Sequence, residues 1–372
     1  MRKKDLGFYT SQQYFTAMEK ISKEVRKTLI KIFEKIVSEF ELKEFNGLWR
    51  EGVLKMWKIR VLKNENPKYL RPLLVLMGYK FIKDEENILT PLPQKLIDIA
   101  TAAELLNIAT YQVNIAIDRK SGIETEEDRI TQFLLADITL SKCIETILES
   151  KISHLTKEKL ITCYLLCNNM TKHEQFININ ILKIENWFLV FRENYNLWEK
   201  VYMHRILCAG GYTIAYALFS GGIIAMENEN KDEKILNTLW NIGLLLGKSL
   251  QLVNDIGDLI GDLPYKPIFA DYKNGLLTFP LFWVLKCLKE EGKEELEKEV
   301  IERKLPAKDI VKMFIEYEGL KEGEKLLEKD FKKIKELCKK HLDENSKYFL
   351  SNVYNLIFNN KFFKKLREIK YA

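Results

Sequence analysis

The chain has 372 residues, of which 47% are hydrophobic and 30% charged, and 59 basic side chains against 53 acidic ones leave a formal net charge of +6. That is the make-up of an ordinary globular protein with ample length for a buried core. The charge excess is thin and Lys and Glu mix without a basic stripe, which argues against nucleic acid as a partner.

The first element expected is an amphipathic helix over 11–45, where Phe15, Met18, Ile21, Val25, Leu29, Ile32, Ile36 and Phe40 recur at three- and four-residue steps. Next, Asn66-Pro67-Lys68-Tyr69-Leu70-Arg71-Pro72 opens an apolar helix expected over 73–81. Lys68 and Arg71 at that start would add positive charge to free backbone N–H groups, an arrangement that suits an anion. Two solvated basic residues at a helix end are the competing reading.

A polar linker, 83–94, leads into a helix expected over 95–118, otherwise apolar or small. It carries a polar stripe, Asn107, Tyr111, Asn114 and Asp118, at offsets 0, +4, +7 and +11. Further helices are expected over 130–147, 155–166, 176–190, 199–226 and 233–262. No proline falls between Gln94 and Leu263, and no two-residue alternation marks a strand, so the chain reads as all-α. Residues 206–226 are uncharged for 21 positions, near the ~20 needed to cross a bilayer. Four glycines and the absence of a flanking basic cluster favour a buried core helix, with peripheral membrane contact left open.

The second polar stripe lies at the end of the helix expected over 233–262. Gln251, Asp255, Asp258 and Asp262 repeat the offsets 0, +4, +7 and +11, with Asn254 on the flank. Three carboxylates on one side repel one another unless something positive sits between them, and hard oxygen ligands suit Mg²⁺. A solvated acidic face is the plainer alternative, but the other sides of this helix are too apolar for the surface. Lys266, Asp271 and Lys273 follow in a loop, then a helix expected over 281–288 and a charge-laced helical set over 290–372. Two striped helices facing each other in a bundle would line a polar-mouthed cavity.

No Gly/Ser/Pro-rich linker divides the chain, so 1–372 reads as a single all-α domain. Its parts are N-terminal helices (1–59), a motif-bearing core (about 60–290) and charged C-terminal helices (291–372). Six cysteines without C-x-x-C or scaffold spacing, and an N-terminus without a signal-peptide core, point to the cytoplasm. None of the four histidines has zinc-ligand spacing.

In the order of these motifs, over roughly residues 60–290, the chain resembles the trans-isoprenyl diphosphate synthases, the polyprenyl synthetase family. Pro67 to Pro72 is similar to the family's G-K-x-x-R-P, and Glu104 to Asp118 to its E-L-I-H…D-D-x-x-D. Leu135-Ala136-Asp137 is similar to A-G-D, Gln251 to Asp258 to Q-x-x-D-D-x-x-D, and Lys266 to Pro280 to G-K-P…D…G-K-x-T-x-P. The resemblance implies a helical bundle of the isoprenoid-synthase type around a central apolar cavity. It implies Mg²⁺ held by Asp118, Asn114, Asn254, Asp255, Asp258 and Asp262, with Asp255, Asp258 and Asp118 as the catalytic carboxylates. Lys68, Arg71, Asn107, Gln251, Lys266 and Asp271 would hold diphosphate. The implied ligands are an allylic diphosphate and isopentenyl diphosphate, and the implied assembly is a homodimer or a heterodimer with a related subunit. Ala109 and Thr110, at positions where bulky aromatics plug the family's tunnel, imply room for a long prenyl chain.

The departures from the family pattern are specific. The first acidic motif reads Asn114-Ile115-Ala116-Ile117-Asp118, and Asn107 stands where the family has a histidine. The family's Lys-Thr falls on Ala209-Gly210 by spacing from Tyr202, Leu276 replaces a lysine, and Asn254 begins the second motif. Asn254 at the head of N-D-x-x-D-x-x-x-D is also similar to the metal motif of class I terpene cyclases. Ionising an allylic diphosphate requires neutralisation of the leaving charge, and Asn for Asp removes a charge while Ile115 cannot ligate. The expectation is a Mg²⁺-dependent prenyl transferase with an altered acceptor or a cyclising outcome. The alternatives are a catalytically weak or silent subunit of a hetero-oligomeric synthase, and an ordinary chain-elongating synthase.

Overall fold

Helical periodicity dominates the computed structural model, which describes residues 11–38, 69–83, 92–118, 125–227, 233–261, 268–339, 344–359 and 368. Among these there is no strand, only an isolated bridge between Lys183 and Leu276. The chain divides into two compact units, Met1–Asn168 with Thr213–Gly243 and Leu342–Phe349, and Asn169–Tyr212 with Leu244–His341 and Leu350–Ala372.

In the first unit, α1 (Ser11–Ser38) buries Ile21, Val25, Leu29 and Ile36 of the stripe read from the sequence, while Phe33 is buried beside a half-buried Ile32. Helix α2 (Leu70–Ile82) begins three residues earlier than expected. Pro72 is its third residue, and a helix needs no N–H donor from its first turn. Helix α3 (Gln94–Asp118) packs against α4 (Glu126–Glu149), where the Cys143 thiol donates to the Ala102 carbonyl (3.1 Å) and the Thr139 hydroxyl donates to Gln112 Oε1 (3.2 Å). Helix α4 starts four residues before the expected position because Thr125 and Asp128 form a reciprocal capping box.

Two expected helices, 155–166 and 176–190, are redrawn. A single α5 (His154–Asn180) runs through the polar quartet 172–175, which contains neither Gly nor Pro to stop it. The chain then breaks at 181–186, where the backbone pairs with residues 275–277: Ile184 N–H donates to Gly275 O (2.9 Å) and Leu277 N–H to Leu182 O (2.8 Å). A π-helical turn, Trp187–Phe191, follows, and the expected 199–226 helix is α6 (Tyr195–Ile206), a second π turn (Leu207–Gly211) and α7 (Tyr212–Met226). This stretch is long and apolar enough to cross a bilayer, yet 78% of its most apolar window is buried within the protein, as a core helix would be. Helix α8 (Lys234–Gly257) ends five residues short of the expected limit. After it the bonds tighten to the three-residue spacing, with Ile260 N–H on Gly257 O and Gly261 N–H on Asp258 O, and Gly261 turns to φ 69°.

The second unit is completed by α9 (Ala270–Lys273), α10 (Phe279–Glu290), α11 (Glu294–Ile301), α12 (Ala307–Glu316), α13 (Gly319–Lys339) and the end of α14 (Glu344–Phe358). Its aromatic centre is Trp198, stacked on Phe282 (ring centroids 3.5 Å apart) and on Tyr202 (4.7 Å). Glu297, fully buried, is held by Arg192 through Nε (3.0 Å) and Nη2 (3.1 Å) and by the Trp187 indole N–H (2.9 Å).

Candidate functional site

The second polar stripe sits where α8 meets α6 and the end of α5, and two glycines make that meeting possible. A Cβ on Gly210 would stand 2.4 Å from the Gly247 carbonyl oxygen, and one on Gly247 would stand 2.3 Å from the Gly210 carbonyl oxygen. The backbones touch, so the side chains just beyond, on α6 and α8, come into hydrogen-bonding range.

Asp255, 1% exposed, lies at the centre. Its Oδ2 accepts from Arg205 Nη1 (2.6 Å) and from the Tyr202 hydroxyl (2.8 Å), and its Oδ1 accepts from Gln251 Nε2 (2.8 Å). Arg205, 4% exposed, also donates from Nε to Asn178 Oδ1 (3.0 Å), and its Nη2 lies 3.6 Å from Glu174 Oε1. Glu174 in turn accepts from Asn178 Nδ2 and from Gln175 Nε2, the latter at 2.7 Å. Burial works to lower the Arg205 pKa, but the Asp255 and Glu174 carboxylates outweigh it and hold the guanidinium charged. Burial pushes the Tyr202 phenol well above its ordinary range, and the Asp255 charge adds to that, so Tyr202 is a neutral donor.

Asp258 does different work. It falls just past the last helical residue, where its backbone carbonyl accepts from Phe269 N–H (2.8 Å) and its Oδ2 accepts from Asp271 N–H (2.7 Å). The following loop therefore returns onto the end of α8. Phe269 takes the left-handed conformation (φ 48°), strained for a side chain of this size, with its ring fully buried.

Gln251, Asp255, Asp258 and Asp271 come together in the second unit, with Asn254 exposed on the flank. Asn107, buried in α3, donates from Nδ2 to Glu104 Oε1 (2.8 Å), and Asn114 lies two turns further along, half-buried. Ala109 is fully buried, and the Thr110 hydroxyl donates back to the Leu106 carbonyl (2.9 Å). Arg71 is half-buried in the first turn of α2. Lys68, Asp262, Lys266 and the Asp118 side chain lie outside the described residues.

Arg205, Tyr202, Asn178 and Glu174 belong to the site but were not singled out for it by sequence. The signal for Arg205 is its place as the last charge before the 21-residue uncharged run, on a helix already read as buried. As a Mg²⁺ ligand Asp255 does not fit as it stands, because both oxygens are bonded to protein donors and one is ion-paired. Among the described residues no group of three or more His, Cys, Asp or Glu side chains is arranged to hold a metal.

The family model described as polyprenyl synthetase matches residues 132–317. The fold is similar to a geranylgeranyl pyrophosphate synthetase from Pyrococcus horikoshii Ot3, with a TM-score of 0.62, 17% identity and 97% of each chain covered. A geranylgeranyl pyrophosphate synthase from Corynebacterium glutamicum, crystallised with isoprenyl diphosphate and magnesium, matches with a TM-score of 0.69 at 16% identity, over 92% of this chain and 99% of that one. A heptaprenyl diphosphate synthase from Staphylococcus aureus matches with a TM-score of 0.61 at 19% identity, over 89% and 97%.

Proposed function

The chain belongs to the polyprenyl synthetase family, a family of prenyltransferases, and from that membership we propose that it binds an allylic prenyl diphosphate and transfers or cyclises its prenyl group. The observation that carries this reading is the built second acidic segment. Asp255 is fixed by Gln251, Arg205 and Tyr202 as donors, and the loop bearing Asp271 is tied back onto Asp258 through its backbone N–H. Burying charge at this density is costly for a fold that has no use for it. The negative charge of the leaving diphosphate is assigned to cationic side chains, Arg71 with Lys68 and Lys266, carried over from the motifs. The altered first motif, with Asn114 and Ile115 in place of carboxylates, supports an acceptor other than isopentenyl diphosphate, or ring closure.

A second reading, a weak or silent subunit that works beside a related synthase, is favoured by one observation: Arg205, Tyr202 and Gln251 already hold both oxygens of Asp255.

The test is pyrophosphate release from geranyl, farnesyl and geranylgeranyl diphosphate, with and without Mg²⁺ and with and without isopentenyl diphosphate. Release without isopentenyl diphosphate is the expected result. Release only in its presence would make the chain an ordinary elongating synthase, and no release until a related subunit is added would select the second reading. In the active preparation, Arg71→Gln is expected to raise KM for the allylic substrate about ten- to hundredfold, the worth of one charge-assisted hydrogen bond.

A further inference from the structure

We propose that the guanidinium of Arg205 is the built-in counter-cation of the second acidic segment, so that Asp255 is closed to a divalent metal. The sequence sets the requirement, since carboxylates gathered at the end of one helix need a positive charge among them. The structure supplies it from α6. Arg205 reaches Asp255 at 2.6 Å and Glu174 at 3.6 Å, and all three side chains are at least nine-tenths buried.

A Mg²⁺ ion at Asp255 would need an oxygen lone pair at about 2.0–2.1 Å. Oδ2 already accepts two hydrogen bonds, which fill it, and Oδ1 accepts one, so a metal would be left with a single Oδ1 lone pair on a carboxylate whose charge Arg205 already neutralises. Arginine cannot yield by losing its proton, so it would have to swing away. It is also held by Asn178 at Nε, and its departure would break that hydrogen bond and its contact with Glu174. The exposed residue at the head of the segment, Asn254, is neutral and does not add the charge that would make the exchange favourable. A fixed monovalent cation thus stands where a mobile divalent one would otherwise be required, and the field at this end of α8 is set by the protein.

This inference rests on the reading of the segment as a diphosphate site, yet the two fail separately. Metal bound to Asp255 in an active enzyme would sink the inference alone, whereas no turnover with the Arg205–Asp255 pair intact would sink only the function. Crystals of the full chain soaked in Mn²⁺ with inorganic pyrophosphate give the direct measurement by anomalous diffraction. The expected map has no manganese bonded to Asp255 and an unbroken pair with Arg205; manganese on an Asp255 oxygen with Arg205 turned away overturns the proposal. In solution, electron paramagnetic resonance should count the same number of Mn²⁺ ions on the wild type and on Asp255→Asn, and a lost ion in that variant refutes it. Folded Arg205→Gln should bind one additional Mn²⁺, about tenfold or more tighter than any such site in the wild type, and lose it again in Arg205→Gln/Asp255→Asn. A folded Arg205→Gln that gains no ion also overturns the proposal. If that variant does not fold, the crystal map and the Asp255→Asn count decide.

Discussion

Arg205 and Asp255 make each other necessary. Each is a charge removed from water, and removing one partner of such a pair leaves the other uncompensated. Arg205→Met is therefore expected to destabilise the chain by about 3–5 kcal/mol, read as a lower urea midpoint. Tyr202→Phe deletes one neutral donor to the same carboxylate and keeps the ring stack, so about 1 kcal/mol is expected. A reversed order of the two variants would show that the phenol, and not the guanidinium, holds Asp255. At this scale the sequence was half legible. The aspartates announced themselves by their offsets on an apolar helix, but the cation did not. A single arginine at the edge of an apolar run looks like a solvated boundary residue until α6 is packed against α8.

Elements were legible in kind and less so in extent. A 3.6-residue apolar period identifies a helix whatever surrounds it, which is why α1, α2 and α3 lie close to where the sequence puts them. Helix ends depend on hydrogen bonds that the period does not encode. The Thr125 cap lengthened α4, and the tightened turn after Gly257 shortened α8 and took Asp258 off the helix. The π turn at Leu207–Gly211 interrupts the regular repeat between Tyr202 and α7. No threonine side chain is accommodated at Gly210, where a Cβ would meet the backbone of Gly247. Gly247→Ala would force these segments apart. A loss of about 1–3 kcal/mol is expected for such overpacking, checked as a fall in Tm, and an unchanged Tm would mean the close approach does not hold the site together.

Across the whole molecule, all six cysteines lie within the described residues and all are free thiols. Burial pushes Cys163, Cys208 and Cys287 up to about 11 and Cys338 to about 12, and raises Cys143 and Cys167 as well. The reactive thiolate of a group titrating near 11 is roughly 0.1% populated at pH 8. The native chain is thus expected to react with Ellman's reagent far more slowly than the unfolded one, which should release six equivalents, one for each cysteine. A fast native thiol would show that one of these positions opens to solvent. The all-α class was read correctly because nothing in the sequence competes with helix over most of its length. The sequence reads as one domain, while the structure groups its contacts into two compact units. Changeovers between these units fall inside α5, α8 and α14, where no linker composition could mark them.

Trp198 has one further consequence. Its indole is stacked between Phe282 and Tyr202, and the Tyr202 hydroxyl bonds to Asp255. An event that moves Asp255 breaks or drags this hydrogen bond and so changes the surroundings of a ring stacked on this fluorophore. With the other tryptophans replaced by phenylalanine, its emission becomes an optical gauge of the buried ion pair, readable in milliseconds on mixing with a ligand.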